Sequence, residues 1–181
     1  YFLPLARQSE IGPDGHAKRG GFLPPVPLPR RMWAGGRLEF HHPLRLGDEL
    51  SRTSRIAGVD IKHGRSGSLV FVTVRHEVHN AQDLAISEEH DIVYKNPSIS
   101  PSQKTPQTQP NTAPQSAPGQ WQRHCEPNST LLFRYSALTF NGHRIHYDQD
   151  YCRQVEGYDN LVIHGPLNAT LLAALAQDVG Q

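Results

Sequence analysis

Hydrophobic and polar positions alternate most regularly in the first half of the chain. Residues 37–44, 49–61, 68–79 and 83–94 each carry the two-residue period of a half-buried strand. Turn residues separate them at Gly47-Asp48, at 63–67 and at 80–83. Leu69-Val70-Phe71-Val72 is apolar at every position, which predicts a strand covered on both faces. The pattern reads as an antiparallel sheet meeting a short helix.

Ahead of the strands, residues 1–35 are rich in Gly and Pro. Prolines at 24, 25, 27 and 29 exclude a regular helix before Arg30, because each removes a backbone donor and restrains its neighbour. Phe22, Leu23, Val26, Leu28, Met32 and Trp33 remain available as an irregular cover on a core. Arg30 and Arg31 would suit a phosphate clamp; a solvated pair at the start of a short helical turn is the favoured reading. Residues 97–120 hold six prolines, several glutamines, no aromatic residue and one charge, Lys104. Such a stretch buries too little to order itself, so it is expected to be a flexible linker. It divides the chain into a domain at 1–96 and a second at 121–181.

Beyond the linker, 131–140 is expected to be a strand that breaks at Asn141-Gly142 into a loop holding His143, Arg144 and His146. A short helix follows over 148–157, with Asp148 at its N-cap. After the apolar run 161–163, His164-Gly165-Pro166 opens a last helix reaching about Asp178. Leu167, Leu171, Leu172 and Leu175 share one face and alanines fill the others, which predicts a buried helix.

Composition narrows the function classes. A net charge of +1 gives no general case for nucleic-acid or membrane-surface binding. No apolar run is long enough to span a bilayer and no signal segment is visible. Two cysteines, Cys125 and Cys152, make no disulfide framework, so a reducing compartment is expected, cytoplasmic or, in a eukaryote, the mitochondrial matrix. The start at Tyr1 and the few strands after the linker lead us to expect a fragment of a longer chain. Eleven histidines are the compositional oddity.

The wording FRYSALTFNGHRIHYD, then VEGY, then LVIHGPL resembles the MaoC-like enoyl-thioester hydratases and dehydratases. It is similar in particular to their mesaconyl-CoA hydratase and mitochondrial-type 3-hydroxyacyl-thioester dehydratase branch. The likeness covers most of 122–178, and RTSRIAGVDIKHGRSGSLVFVTVRHEVHN resembles the N-terminal half of the same family. The resemblance implies an α+β double hot-dog, a sheet wrapped round a central helix, with the second unit incomplete here. The N-terminal unit would be a degenerate, substrate-binding one. The implied function is reversible hydration of an α,β-unsaturated acyl thioester, such as the CoA ester of a short dicarboxylate. A CoA or acyl-carrier-protein thioester would be the partner, the enzyme a homo-oligomer, and neither a redox cofactor nor a metal would be required.

The resemblance casts His146 as the acid–base, a task a neutral imidazole performs near pH 7. The family places an aspartate five residues earlier; here that position is Asn141, which can hold a water but cannot act as a base. Asp148 would be either the replacement carboxylate or a helix N-cap, and the cap is favoured. His143 and Arg144 are expected near a substrate carboxylate or phosphate. Gly165, with His164 beside it, would offer helix N-terminal amides to the thioester oxygen. A His143–His146 metal site and a Cys152 nucleophile lack the accompanying motifs. Two readings compete: a hot-dog thioesterase, and a non-catalytic acyl-thioester-binding subunit.

Overall fold

A computed structural model describes residues 5–64, 67–97 and 121–180. The chain forms two compact units, Arg19–Ser98 and a second that joins Tyr1–Lys18 to Ile99–Gln181. The first eighteen residues therefore group with the C-terminal half, where sequence alone placed them in a 1–96 domain. Of the proline-rich 97–120 stretch, residues 98–120 lie outside the described residues.

The first unit is one antiparallel sheet of strands β1 (Arg30–Phe40), β2 (Ser51–Gly64), β3 (Gly67–His79) and β4 (Leu84–Lys95), in the order β1-β4-β3-β2. All four expected strands are present. The first begins at Arg30, so Arg30 and Arg31 pair with Lys95 and Tyr94 instead of opening a helical turn, and Arg31 is buried. Cross-strand pairing supplied partners that a local reading of two charged residues could not see. The core lies on one face: Val72, Val74 and Tyr94, with Ile56, Val70 and Ile92 beside them. Leu23, Val26 and Leu28 of the proline-rich stretch pack against it as an irregular cover. That stretch is short of backbone donors, and the Arg19 guanidinium donates to the carbonyls of Val26, Leu28 and Pro29 in their place. Leu69 and Phe71 are only half-buried, so β3 is buried at Val72 and Val74 on one face and not on both. On the other, Arg37 bonds Glu89 at 2.6 Å and Thr73 bonds Asp91 at 2.6 Å.

The second unit is helical, with α1 (Ser129–Thr139), α2 (Gln149–Tyr151) and α3 (Gly165–Val179) as its regular elements. The expected strand at 131–140 is α1. Asn128 caps it by accepting the Leu131 N–H at 2.9 Å, and Leu132, Ser136 and Thr139 share the buried face at helical spacing. Only Thr139 in 131–140 is β-branched, and its hydroxyl turns back to the Tyr135 carbonyl at 2.7 Å, as helical Thr does. Phe140 ends the helix in the left-handed region at φ 53°. The expected helix at 148–157 is α2 running into a π-turn, Cys152–Glu156, closed by Gly157 at φ 74°. Among the described residues no strand forms at 161–163, although the Val162 N–H bonds the Ile145 carbonyl at 2.9 Å.

The last helix falls where expected, but only Pro166 and Leu167 are buried, and Leu172 is 67 % exposed. The expectation of a buried helix is not met within this unit. Leucine periodicity gives a helix an apolar face without supplying the surface that covers it. No described helix is long and apolar enough to cross a membrane.

Candidate functional site

The loop between α1 and α2 is built by short-range chemistry. Gly142 permits a close backbone approach, and the Asn141 carboxamide oxygen accepts the His143 N–H at 3.1 Å. A single 3₁₀ turn, Arg144–His146, then buries Ile145 and His146. Asp148 caps α2, accepting the Tyr151 N–H at 3.0 Å, as the favoured sequence reading held. It also holds Arg144 through Nε at 3.0 Å and Nη2 at 2.7 Å. The Tyr151 amide first, and the Arg144 guanidinium next, hold the Asp148 carboxyl below the usual carboxylate range.

Arg144 spends its remaining Nη1 on the Pro13 carbonyl at 3.1 Å, and its plane lies 4.2 Å from the Tyr151 ring centroid. A guanidinium bound on both edges and one face is a structural clamp, and the expected substrate contact at Arg144 is not what these bonds describe. The N-terminal turn that receives it had no place in the sequence reading of the site. Its Asp14 carbonyl accepts the Arg144 N–H at 3.0 Å, and Gly15 and Gly142 meet backbone to backbone. Beside that contact the His16 and His143 rings lie 4.2 Å apart. Gly-Pro-Asp-Gly at 12–15 is legible as a turn, but nothing local says what it docks against.

His146 is 6 % exposed, and its Nδ1 lies 2.7 Å from the Val162 carbonyl oxygen. A carbonyl only accepts, so Nδ1 carries the proton and Nε2 keeps its lone pair. Burial pushes this imidazole below its ordinary value, and the Val162 bond offsets part of the shift. The result is a neutral ring with one basic nitrogen at pH 7. His164 stacks on it with centroids 3.6 Å apart and planes 19° from parallel. His164 is itself fully buried, bonds the Ser136 hydroxyl through Nε2 at 2.8 Å, and is pushed down to about 3, first by burial and then by His146. His143 meets His146 edge-on at 5.5 Å.

His164 is also the residue that introduces α3. Its carbonyl accepts the Asn168 N–H at 3.2 Å, the first bond of the helix. By position, the N–H groups of Gly165 and Leu167 have no partner inside the helix, and Pro166 between them has none to offer. A basic nitrogen and a helix N-terminus are thus linked by one ring stack. Cys152 is buried, donates to the Ile145 carbonyl at 2.9 Å, and is pushed up by burial, which is the opposite of an activated thiolate. Among the described residues no three His, Cys, Asp or Glu side chains are arranged to hold a metal ion.

The model of one family, hydroxyacyl-thioester dehydratase type 2, matches residues 1–181. The chain belongs to the hydroxyacyl-thioester dehydratase type 2 family. It is 50% identical to a mesaconyl-C(4)-CoA hydratase of Chloroflexus aurantiacus over 98% of this chain and 61% of that protein. It is 28% identical to the mitochondrial hydroxyacyl-thioester dehydratase type 2 of Schizosaccharomyces pombe, over 94% of this chain and 62% of that one. The chain thus spans about three-fifths of the length of these dehydratase-family relatives. Among solved structures, a MaoC-like dehydratase matches with a TM-score of 0.60 at 16% identity, over 83% of this chain and 57% of that one. HtdX of Mycobacterium tuberculosis matches at 0.59 and 17%, over 82% and 55%. The fold is accordingly part of that of the MaoC-like hot-dog dehydratases, the family fold that the sequence resemblance implied.

Proposed function

We propose that this dehydratase-family chain serves the reversible hydration of an α,β-unsaturated acyl thioester. One observation carries the reading: the Val162 carbonyl fixes the His146 tautomer, leaving Nε2 as the basic nitrogen of a buried ring. In the forward step Nε2 takes a proton from water as the water oxygen bonds the β-carbon. The displaced electron pair moves onto the thioester oxygen, where the first-turn amides of α3 at Gly165 and Leu167 receive the charge. The imidazolium then returns its proton to the α-carbon, so atoms and charge balance. Asn141 serves the water through its carboxamide N–H₂, since its oxygen is held by His143. The scheme needs no redox cofactor and no metal.

The 50% identical relative is named for mesaconyl-C(4)-CoA, and we take a short dicarboxylic acyl-CoA as the substrate class. Because Arg144 is tied to Asp148 and Pro13, the distal carboxylate has to be met by another group, and we assign that contact to His143 on the same loop. Incubating the full chain with mesaconyl-C(4)-CoA tests the reading. Loss of enoyl absorbance without free thiol supports hydration. Free thiol means a thioesterase, and binding without either change means an acyl-thioester-binding subunit.

A further inference from the structure

We propose that Ser136 and His164 are positioning residues that hold the His146 ring against the Val162 carbonyl and tie it to the first turn of α3. This rests on the role proposed for His146. The four groups come from three separate segments: Ser136 from α1, His146 from the loop, and Val162 with His164 from the approach to α3. Ser136 is 6 % exposed and His164 not at all, so the 2.8 Å bond between them is shielded from water. The Tyr135 ring meets His164 at 4.8 Å, 61° from parallel, a second restraint on that imidazole.

Packing alone is a poor reason to keep an imidazole here. Nδ1 of His164 is buried without a partner among the described residues, an arrangement that costs free energy an apolar ring of the same shape would not. What an imidazole provides is a flat face for His146 and an edge nitrogen that Ser136 can orient. With one bond at Nδ1 and a ring on its face, the His146 imidazole is restrained against rotation. The titratable neighbours of His146 are His164 on its face and His143 at its edge. His16 and Asp14 lie beyond His143, and the Arg144–Asp148 pair flanks the turn.

The test compares substitutions in the full chain by NMR titration of the His146 ring and by kcat and KM in the hydration assay. His164→Phe keeps a ring on His146, whereas His164→Gln can still bond Ser136 but offers no flat face. We expect His146 to titrate below its ordinary value of 6.5 in the native protein, to move up slightly in His164→Phe, which keeps the face but loses the Ser136 bond, and to move further towards it in His164→Gln. In His164→Gln kcat should fall about 10–100-fold, the scale of a small misplacement, with KM within about twofold. Ser136→Ala, which removes one hydroxyl, should move both readings in the same direction by less, and covers the case in which His164→Gln does not fold. An unchanged titration and kcat in both His164→Gln and Ser136→Ala overturns the proposal. Greater damage in His164→Phe than in His164→Gln also overturns it, because His164 would then act through its nitrogens and not its face. If His146→Ala leaves hydration intact, the proposed function fails, while the titrations still decide the positioning.

Discussion

The Val162 carbonyl oxygen accepts the Nδ1 proton of His146 at 2.7 Å, sixteen residues along the chain. That single bond decides which imidazole nitrogen is basic. If it prepares the base, His146→Ala should lower kcat by roughly 10²–10⁴-fold, the worth of a positioned acid–base group, and leave KM little changed. Steady-state kinetics on the full chain check this, and turnover at the native rate would leave the non-catalytic reading ahead.

Acid should destabilise the helical unit through its histidines. His164 is held at about 3 and His146 below 6.5 when folded, so the unfolded chain binds more protons than the folded one below 6.5. Stability is therefore undiminished above 6.5 and falls as the pH drops, by up to about 1.4 kcal/mol per pH unit for His164 down towards its folded value. Urea melts at pH 7 and pH 5 should show the loss, and His164→Phe should reduce it.

Asp148 should prove structural. Its folded carboxyl lies below its ordinary value through the Tyr151 amide and Arg144, so its stabilising effect is present above 3.8 and is lost as pH falls through the folded value. Asp148→Ala should lower the melting temperature more than Asp148→Asn, which can still cap α2. The pH–rate profile should keep its single histidine limb in Asp148→Asn. Disappearance of a second acidic limb there would make Asp148 the carboxylate that Asn141 lacks.

Two glycines separate backbone strain from docking. Gly15 and Gly20 both have φ near +90°, at +87° and +88°. A Cβ on Gly15 would sit 1.8 Å from the Gly142 carbonyl oxygen, while one on Gly20 meets nothing within 4 Å. Gly20→Ala should cost about 1–2 kcal/mol of strain. Gly15→Ala should cost more, speed protease cleavage of the N-terminal turn, and impair turnover, because the loop carrying His143 loses its support. Equal effects from the two substitutions would mean that the turn does not brace the site.

The strands of the first unit, the start of α3 and the Asp148 cap were legible in the sequence because each depends on neighbours a few residues away. Alternation places side chains on alternate faces, Pro after Gly suits a first helical turn, and a carboxylate three residues before an amide can cap it. The family wording singled out His146 for the same local reason. Helix α1 was misread because an apolar run has no decisive period until the surface it faces is known; its buried face proved to be Leu132, Ser136 and Thr139. Arg144 could not be assigned for a related reason: one guanidinium suits a substrate, Asp148 or a backbone carbonyl equally well until Pro13 arrives beside it. Tertiary structure alone brought Val162, His164 and Ser136 to His146, and the Gly12–His16 turn to His143. Sequence determined which side chains have acid–base chemistry; the packing of distant segments decided which nitrogen is free to use it, because tautomer and burial belong to the neighbours and not to the residue.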